Sequence, residues 1–453
     1  MKSEKISSDD AKHALLPVHD INNDENDEEN LFNPAEFRDH QHATTELDTL
    51  LHLVKATISS GFMNLPAAVG HAGVLAGPIG LVLIAVLMVH CEHMLVISSK
   101  AWCRRRGKSK MSFADVGEEC FKKRYSNKGW IGRLLVNSSL LCAQFGFCCV
   151  YMLFVSRNLQ QVFANNCNFN VDVRLWILFL LPIYILFSLI KNLTTLAWLS
   201  FVANLLMITG VICMLVHIFG SLHNPLGLPS IASAHGIPLF VASSIYAFES
   251  IGLILPLENE MKHPDKFPTL LNLGMVFVTF LYIFVGFFGY LSCTENCHGS
   301  ITLNLGETPL SLIVRLTISI SIFLSYFLQS YVIFSLIESW VISHANEKYE
   351  LLKRHIVRAN IVIITAFLAS TIPHLEYIIS LFGATANTTL CITLPAIIHT
   401  ISIEELSKLS LLKNIGLILF GISINIIGVT ILIQKIYYTY SQPKKLLAIK
   451  PNN

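Results

Sequence analysis

The chain has 453 residues, of which 53% are hydrophobic and 14% are charged, and its formal net charge is +2. Ordinary soluble domains carry roughly 25% charged residues, so the composition excludes a typical soluble protein, and the small net charge does not indicate a nucleic-acid partner. The sequence contains no glycine-rich phosphate loop and no HisGluxxHis motif. We therefore expect a membrane protein that is not an enzyme and needs no cofactor.

The N-terminal segment, residues 1–48, differs in composition from the rest of the chain. It holds 13 acidic and 4 basic residues, whereas the remainder holds 17 acidic and 28 basic residues. A segment with so little apolar surface cannot offset the entropy lost on folding. We predict that residues 1–48 form a disordered acidic tail.

Eleven apolar segments follow this tail, and each is long enough to cross roughly 30 Å of hydrocarbon as a helix. They predict an all-α membrane domain over residues 49–440, followed by a short tail at 441–453. The predicted spans are 49–70, 75–100, 134–163, 173–190, 194–219, 236–257, 268–293, 309–342, 356–373, 376–399 and 411–438.

Basic residues alternate between the loops. The loop 100–133 holds eleven Lys or Arg residues, and every second loop after it also carries basic residues. The loops between them hold none, at about 71–74, 164–172, 221–235, 294–307 and 374–375. Cytoplasmic loops are enriched in Lys and Arg, so the pattern predicts a multi-pass protein with a cytoplasmic N-terminus. The lysines after the eleventh span do not fit this alternation.

The first predicted span is interrupted in its middle by poor helix formers, in the sequence TISSGFMNLP at residues 57–66. The sixth span has a similar interruption, YAFESIGLILP at residues 246–256. Each interruption lies in the first helix of a five-helix unit, spans 1–5 and 6–10, and because five is odd the second unit must be inverted. Paired broken helices in inverted repeats indicate a transporter with a binding site near the bilayer midplane.

A broken helix suits a zwitterionic ligand. Orphan N–H groups at the start of a half-helix attract a carboxylate, and orphan carbonyls at the end of a half-helix attract an ammonium group. We predict that the N–H groups of Gly61, Phe62 and Met63 receive the carboxylate. The carbonyls near Ala247 and Phe248 would receive the ammonium group. Small residues let the ligand approach the backbone closely, namely Ser59, Ser60 and Gly61.

Several motifs resemble the proton-coupled amino acid transporter branch of the amino acid/auxin permease family. They occur in the family's order over residues 48–440: LHLVKA (51–56), GFMNLP (61–66), HAGVLAGP (71–78), VHCEH (89–93), AFESIG (247–252), LPLEN (255–259) and GSITLNL (299–305). The resemblance implies eleven helices in the LeuT-type fold, a 5+5 inverted repeat with helices 1 and 6 broken. It also implies symport of small amino acids with protons.

The sequence departs from this family at both interruptions. The family usually has Gly-Thr-Gly where this chain has Ser59-Ser60-Gly61, and Glu-Gly-Ile-Gly where it has Glu249-Ser250-Ile251-Gly252. Both changes add a side chain beside the presumed ligand, so substrate size and transport itself depend on these positions. The predicted substrate-binding set is Ser59, Ser60, Gly61, Phe62, Met63, Phe248, Glu249, Ser250 and Gly252.

Two side chains are candidates for proton coupling. His52 lies on the first half-helix, and histidine titrates near neutral pH. The resembling family has a histidine at this position that is thought to serve proton coupling, although a buried hydrogen-bonding histidine is the alternative. Glu249 lies within the second interruption, where it would carry the proton, bind the substrate amine or hold the loose backbone.

Other polar residues have more than one interpretation. In the fold that the resemblance implies, a set in spans three and eight lines the same cavity or joins neighbouring helices by hydrogen bonds: Gln144, Phe145, Tyr151, Ser325 and Gln329. His90 and His93 suggest a zinc site, or an interfacial position with no metal. Cys167 and Cys297 fall in predicted outer loops, where disulfides persist, and we predict a bridge between them, with Cys293 as a competitor of Cys297.

The prediction is therefore a secondary active transporter, a proton-coupled symporter of small neutral amino acids, in the plasma membrane or a lysosomal or endosomal membrane. Its partners would be the substrate, H⁺ and membrane lipid. The main alternative is an amino-acid sensor of the same fold, with a signalling partner at the N-terminal tail. A channel or membrane enzyme has no supporting motif.

Overall fold

The structure is a computed structural model, and it describes residues 34–38, 43–58, 60–126, 128–167, 169–190, 193–294, 297–342, 350–372 and 374–441. Ser59 of the predicted site lies outside these ranges. The described residues are almost entirely helical, and the β-structure among them is an isolated bridge between Thr44 and Met261.

The first predicted span consists of two short helices joined by a turn. Helix α1, Glu46–Thr57, begins at a capping box between Thr45 and Asp48. A 3-10 turn, Ser60–Asn64, leads into α2, Leu65–Ala72, which has Pro66 in its first turn, where proline is tolerated. The chain then reverses at Gly73 with φ +109°, a conformation that favours glycine.

Five helices complete the first half of the chain. They are α3 (Ala76–Arg106), α4 (Phe113–Arg124), α5 (Gly129–Cys167), α6 (Val173–Ser188) and α7 (Leu193–Gly220). Helix α4 lies within the predicted basic loop 100–133, whose ends belong to α3 and α5. The 39-residue α5 packs against α4, α6 and α11, so it joins helices of both halves of the chain.

The second half begins with another pair of short helices, α8 (Ile237–Ala247) and α9 (Ile251–Glu260). The next two long helices are α10 (Phe267–Cys293) and α11 (Pro309–Ile342), followed by α12 (Glu350–Thr371). Helices α13 (Leu375–Phe382) and α14 (Leu394–Ser402) are joined by two π-helical turns, Gly383–Asn387 and Thr389–Thr393, before α15 (Lys408–Ser441).

Eight helical stretches in the described ranges are long and apolar enough to cross a membrane. They are Ala76–Arg106, Gly129–Cys167, Trp198–Gly220, Ile237–Glu260, Pro264–Cys293, Pro309–Glu338, Leu375–Ser402 and Lys408–Tyr438. The other three predicted spans are helical but do not meet both criteria. Span 49–70 is divided between α1 and α2, α6 has 16 residues, and α12 carries Arg354 and Arg358 in its first half.

The broken pair α8 and α9 lies at the centre of the bundle. In the apolar window of Ile237–Glu260, 72% of residues are buried, against 17% for Trp198–Gly220 and 22% for Lys408–Tyr438. The helices Trp198–Gly220 and Lys408–Tyr438 expose large apolar side chains such as Trp198, Phe201 and Ile426. Surfaces of this kind fit contact with lipid rather than water.

The predicted disordered tail extends too far at its C-terminal end. Thr44 pairs with α9 through its backbone, and α1 begins at Glu46. Arg38 is buried, and its guanidinium lies 3.0 Å from the carboxylate of Glu258. A buried acid needs a cationic partner, and that requirement orders this part of the acidic segment. The remainder of the tail, residues 1–33 and 39–42, lies outside the described ranges, as do residues 442–453.

The predicted bridge between Cys167 and Cys297 is wrong. Cys297 is bonded to Cys293, with 5.1 Å between their Cα atoms, and Cys167 is an exposed free thiol at the end of α5. The chain turns sharply after α10 at Thr294, which has φ +55°, and this turn brings Cys297 back to Cys293. The competitor noted in the sequence is therefore the partner.

Candidate functional site

The two interruptions cross each other inside the bundle. A Cβ atom added to Gly61 would lie 2.7 Å from the Cα of Ala247 and 3.1 Å from the ring of Tyr246. Real Cβ atoms essentially never approach backbone so closely. Gly61 therefore permits contact between the first broken helix and the second.

Tyr282 of α10 connects the ends of the two half-helices. Its hydroxyl lies 2.8 Å from the carbonyl oxygen of Thr57 and 2.9 Å from that of Ala247. These are the last residues of α1 and α8, whose terminal carbonyls have no partner within their own helices. The Tyr282 hydroxyl thus lies within hydrogen-bond distance of the Ala247 carbonyl, which we expected to bind the ammonium group of the substrate. Nothing in the sequence singles out Tyr282, because the same span also holds Tyr290, Asn272 and Thr279.

The second interruption carries two buried polar side chains. Glu249 is 7% exposed and accepts a hydrogen bond from the backbone N–H of Gly252, at the start of α9. Ser250 is also buried, and its Oγ donates to Glu92 Oε1 across 2.6 Å. Ser250 therefore points at α3 and does not line the cavity described below.

Glu92 is a functional candidate that the sequence analysis missed. It lies midway along α3 and is fully buried. The only sequence signal was an acid in the motif VHCEH, which we placed near the cytoplasmic end of the span. In the structure α3 continues to Arg106, so Glu92 lies near its middle.

A cavity of about 280 Å³ leads to the crossing of the broken helices. It lies between α1, α5, α7, α9 and α11, and its polar lining includes Ser60, Tyr151, Ser325 and Gln329. Pockets for drug-sized ligands usually measure roughly 300–1,000 Å³, so this cavity suits a small ligand. Tyr151, Ser325 and Gln329 were predicted to line it, whereas Gln144 and Phe145 do not.

The Ser60 hydroxyl lies at the inner end of this cavity. Within the described ranges, it is buried and makes no hydrogen bond. The Tyr151 hydroxyl faces Gln329 and Ser60. Buried polar groups are normally hydrogen-bonded, so this end of the cavity suits a ligand that has both donors and acceptors.

His52 lies at the outer end of the same cavity. Its side chain is exposed, and Lys55 lies one turn further along α1, where its Nζ donates to Ser200 Oγ on α7 across 3.3 Å. The cavity therefore reaches the surface beside the C-terminal half of α1. His52 and Glu249, the two candidates for proton coupling, lie in different environments, one exposed and one buried.

The remaining predicted residues lie near the crossing, where Phe62, Met63 and Phe248 are buried and Gly252 is partly buried. Phe62 and Phe248 pack on the ring of Tyr282, with centroid distances of 6.5 Å and 4.7 Å. Met63 is 1% exposed, and Gly252 lies beside Glu249 and Leu140. Ser60 is the member of the predicted substrate-binding set that lines the cavity.

The two histidines considered for zinc serve no metal cluster in the described part of the chain. His93 Nε2 lies 2.7 Å from Asn272 Oδ1 on α10. No group of three His, Cys, Asp or Glu side chains among the described residues is arranged to hold a metal ion.

Comparison with known proteins agrees with this geometry. The model of the family described as transmembrane amino acid transporter protein matches residues 42–439. The proton-coupled amino acid transporter-like protein pathetic of Drosophila melanogaster is 30% identical over 432 residues, which covers 91% of this chain and 89% of the relative. The amino acid transporter AVT3C of Arabidopsis thaliana is 27% identical over 406 residues, or 85% of this chain and 89% of the relative.

A solved structure shares the fold. The inward-facing structure of Mhp1 superposes with a TM-score of 0.59 at 13% sequence identity, covering 87% of this chain and 90% of that chain. The likeness shows that the chain shares the LeuT-type fold of that structure.

Proposed function

The chain belongs to the transmembrane amino acid transporter family, and from that premise we propose that it is a proton-coupled symporter of small neutral amino acids. Its relatives are transporters and not enzymes. The Drosophila relative is named as proton-coupled. The observation that carries the proposal is the small cavity, lined in part by hydroxyl and amide groups, that ends where the two broken helices cross.

The substrate would bind at the inner end of that cavity. Ser60, Tyr151 and Gln329 offer hydroxyl and amide groups to a zwitterion. The N–H groups of Gly61, Phe62 and Met63 remain the proposed carboxylate site, since they lie in the turn that starts at Ser60. Because Tyr282 serves the Ala247 carbonyl, we propose that the ammonium group uses the side-chain oxygens of the cavity instead.

Proton coupling is proposed for His52 or Glu249. Exposure of His52 at the cavity mouth would let it exchange protons with one side of the membrane. Burial of Glu249 in the second interruption would connect its protonation to the conformation of α8 and α9. An ionisable group within a membrane span is a functional candidate by default.

The topology proposed is eleven spans with a cytoplasmic N-terminus and two inverted repeats of five. It is supported by the alternation of basic loops and by helices at all eleven predicted positions. The host membrane, whether plasma membrane or lysosomal or endosomal membrane, is part of the same proposal and follows from family resemblance alone.

Uptake measurements test this function. Purified protein in liposomes should accumulate labelled glycine, alanine or proline when the outside is acidic, and accumulate less when both sides are at neutral pH. A protonophore should abolish the difference, because it removes the gradient. Uptake that ignores the gradient would indicate a uniporter of the same fold.

The alternative is an amino-acid sensor that signals through its N-terminal segment. One observation favours it, since Arg38 and Thr44 attach that segment directly to the end of α9. A protein that binds amino acids without any flux would support the sensor and contradict the transporter.

A further inference from the structure

Two carboxyl groups lie close together in the middle of the bundle, at the second interruption. Glu92 on α3 is fully buried, and Glu249 is 7% exposed. Ser250, the residue after Glu249, donates its hydroxyl hydrogen to Glu92 Oε1 across 2.6 Å and so joins the two segments. The charge of Glu249 acts on the Glu92 carboxyl group.

This carboxyl pair differs from the other buried acids of the described ranges. Glu258 faces Arg38 and Lys100, and Glu338 faces Arg354 and Arg358. Neither Glu92 nor Glu249 forms an ion pair with a described residue. A buried carboxylate without a cation is costly, and a second buried carboxylate nearby raises the cost of keeping both charged.

Two thiols also lie near the pair. Cys91 precedes Glu92 on α3, and Cys391 on the second π-helical turn interacts with both carboxyl groups. Lys413 acts on Cys91 and on the neighbouring His90, but no ion pair joins it to either acid. Since no basic side chain among the described residues pairs with either acid, a proton is the cation that can neutralise the pair.

We propose that Glu92 and Glu249 share one proton and together form the proton site of the transport cycle. The inference rests on the proposed proton-coupled function and deepens it, because it adds Glu92 and Ser250 to the site. Glu92 Oε2 makes no hydrogen bond within the described part of the chain, so it is the oxygen open to a proton while Oε1 accepts from Ser250.

Protonation at this place would act on the broken helix. A proton from the aqueous side binds one carboxylate oxygen as an O–H group, and the pair changes from two negative charges to one. With both charges present, repulsion drives the segment 248–250 away from α3; with one proton bound, the Ser250–Glu92 hydrogen bond holds it there. Since this segment joins α8 to α9, proton binding and the orientation of α9 are coupled, and such coupling is reciprocal.

The first experiment separates proton coupling from substrate exchange. In liposomes, exchange of labelled for unlabelled alanine at equal pH needs no proton gradient, whereas accumulation under an acidic exterior does. In Glu92→Gln, the stimulation of uptake by an acidic exterior should disappear completely. The rate of alanine exchange at equal pH should fall far less. Ser250→Ala should keep acid stimulation but shift the pH of half-maximal uptake. Ser243→Ala is the matched control, because that buried serine bonds Ser380 and no acid.

A second experiment detects the proton without transport. Infrared spectra of the purified protein should show a protonated carboxyl band at neutral pH, and the band should diminish in Glu92→Gln and in Glu249→Gln. The control is Glu376→Gln, a partly buried acid in a separate cavity of about 470 Å³ near His298 and His374. A spectrum and titration of Glu92→Gln identical to the wild type would overturn the inference, even if that variant transports poorly.

The outcomes distinguish the two proposals. A wild-type protein whose uptake ignores the proton gradient contradicts the proposed function. If the wild type is acid-stimulated and Glu92→Gln keeps that stimulation, only the carboxyl pair is wrong. Loss of stimulation in His52→Ala or Glu376→Gln, with Glu92→Gln unaffected, would place the proton at those residues instead. If Glu92→Gln does not fold, the shift expected for Ser250→Ala decides, and its absence overturns the pair.

Discussion

At the scale of single residues, the crossing of the broken helices depends on a few atoms that sequence composition does not reveal. One hydroxyl, that of Tyr282, reaches the carbonyl ends of both α1 and α8. One glycine, Gly61, leaves room for the backbone of the opposing helix. Both residues act on the shape of the site rather than as ligands.

Tyr282→Phe should destabilise the protein by about 1–3 kcal/mol, because it leaves buried carbonyls without a donor. The matched control is Tyr184→Phe. The Tyr184 hydroxyl is equally buried but has no hydrogen-bond partner among the described residues, so its removal should leave stability unchanged or raise it. Thermal unfolding of both variants in detergent is the measurement. Equal stability of Tyr282→Phe and the wild type would mean that water replaces the hydroxyl.

Gly61→Ala should abolish transport, because its Cβ would lie 2.7 Å from the Cα of Ala247 and force the two interruptions apart. Gly416→Ala is the control, since an added Cβ there meets nothing within 4 Å and α15 is an ordinary helix. Uptake normalised to the amount of folded protein is the readout. Normal uptake by Gly61→Ala would show that the crossing can open without cost.

At the scale of elements, the end of α9 is fastened to the segment before α1. Arg38 donates to the Glu258 carbonyl across 2.8 Å and to its carboxylate, and it also reaches the carbonyl of Ser109 before α4. Three parts of the chain that are distant in sequence therefore meet at one guanidinium. Because the segment is mainly acidic, its composition does not indicate that Arg38 attaches it to α9.

Arg38→Ala should destabilise the protein by about 3–5 kcal/mol, because removing one partner of a buried ion pair leaves the other uncompensated. Lys100, 3.7 Å from Glu258, should reduce this cost. Lys266→Ala, which breaks the exposed pair with Glu46, should cost at most about 1 kcal/mol. Thermal unfolding again provides the comparison. Equal effects of the two substitutions would contradict the assigned role of Arg38.

At the scale of the whole molecule, the arrangement of spans depends on the alternation of charged loops. This alternation predicts that the basic loop 100–133 and the N-terminus lie on one side of the membrane and the loop 221–235 on the other. Such an arrangement needs an odd number of crossings between residue 1 and that loop. The five predicted spans before residue 221 satisfy this requirement.

Epitope tags at residue 1 and within 221–235 should therefore be accessible from opposite faces of the membrane. Antibody binding to intact and permeabilised cells measures this, and a tag within 107–112, between α3 and α4, is the control for the N-terminal side. If the tags at residue 1 and within 221–235 are labelled from the same face, the number of crossings between them is even and the prediction of five spans is wrong.

Composition and local pattern alone determined the membrane class, the helical positions and the two interruptions. Apolar length and the poor helix formers at 57–66 and 246–256 act locally, and lipid leaves a chain few other structures. Positive loops likewise reflect insertion rather than packing.

Tertiary structure decided which polar residues meet. Glu92 and Ser250 are 158 residues apart in sequence, and Tyr282 is 225 residues from Thr57, so no local pattern indicates these contacts. The same holds for Arg38 and Glu258. Cys297 shows the opposite error. We predicted a partner in a distant loop, Cys167, whereas its partner in the structure is Cys293, four residues away. A side chain's partner depends on how helices pack against one another, and that information appears only when the bundle is assembled.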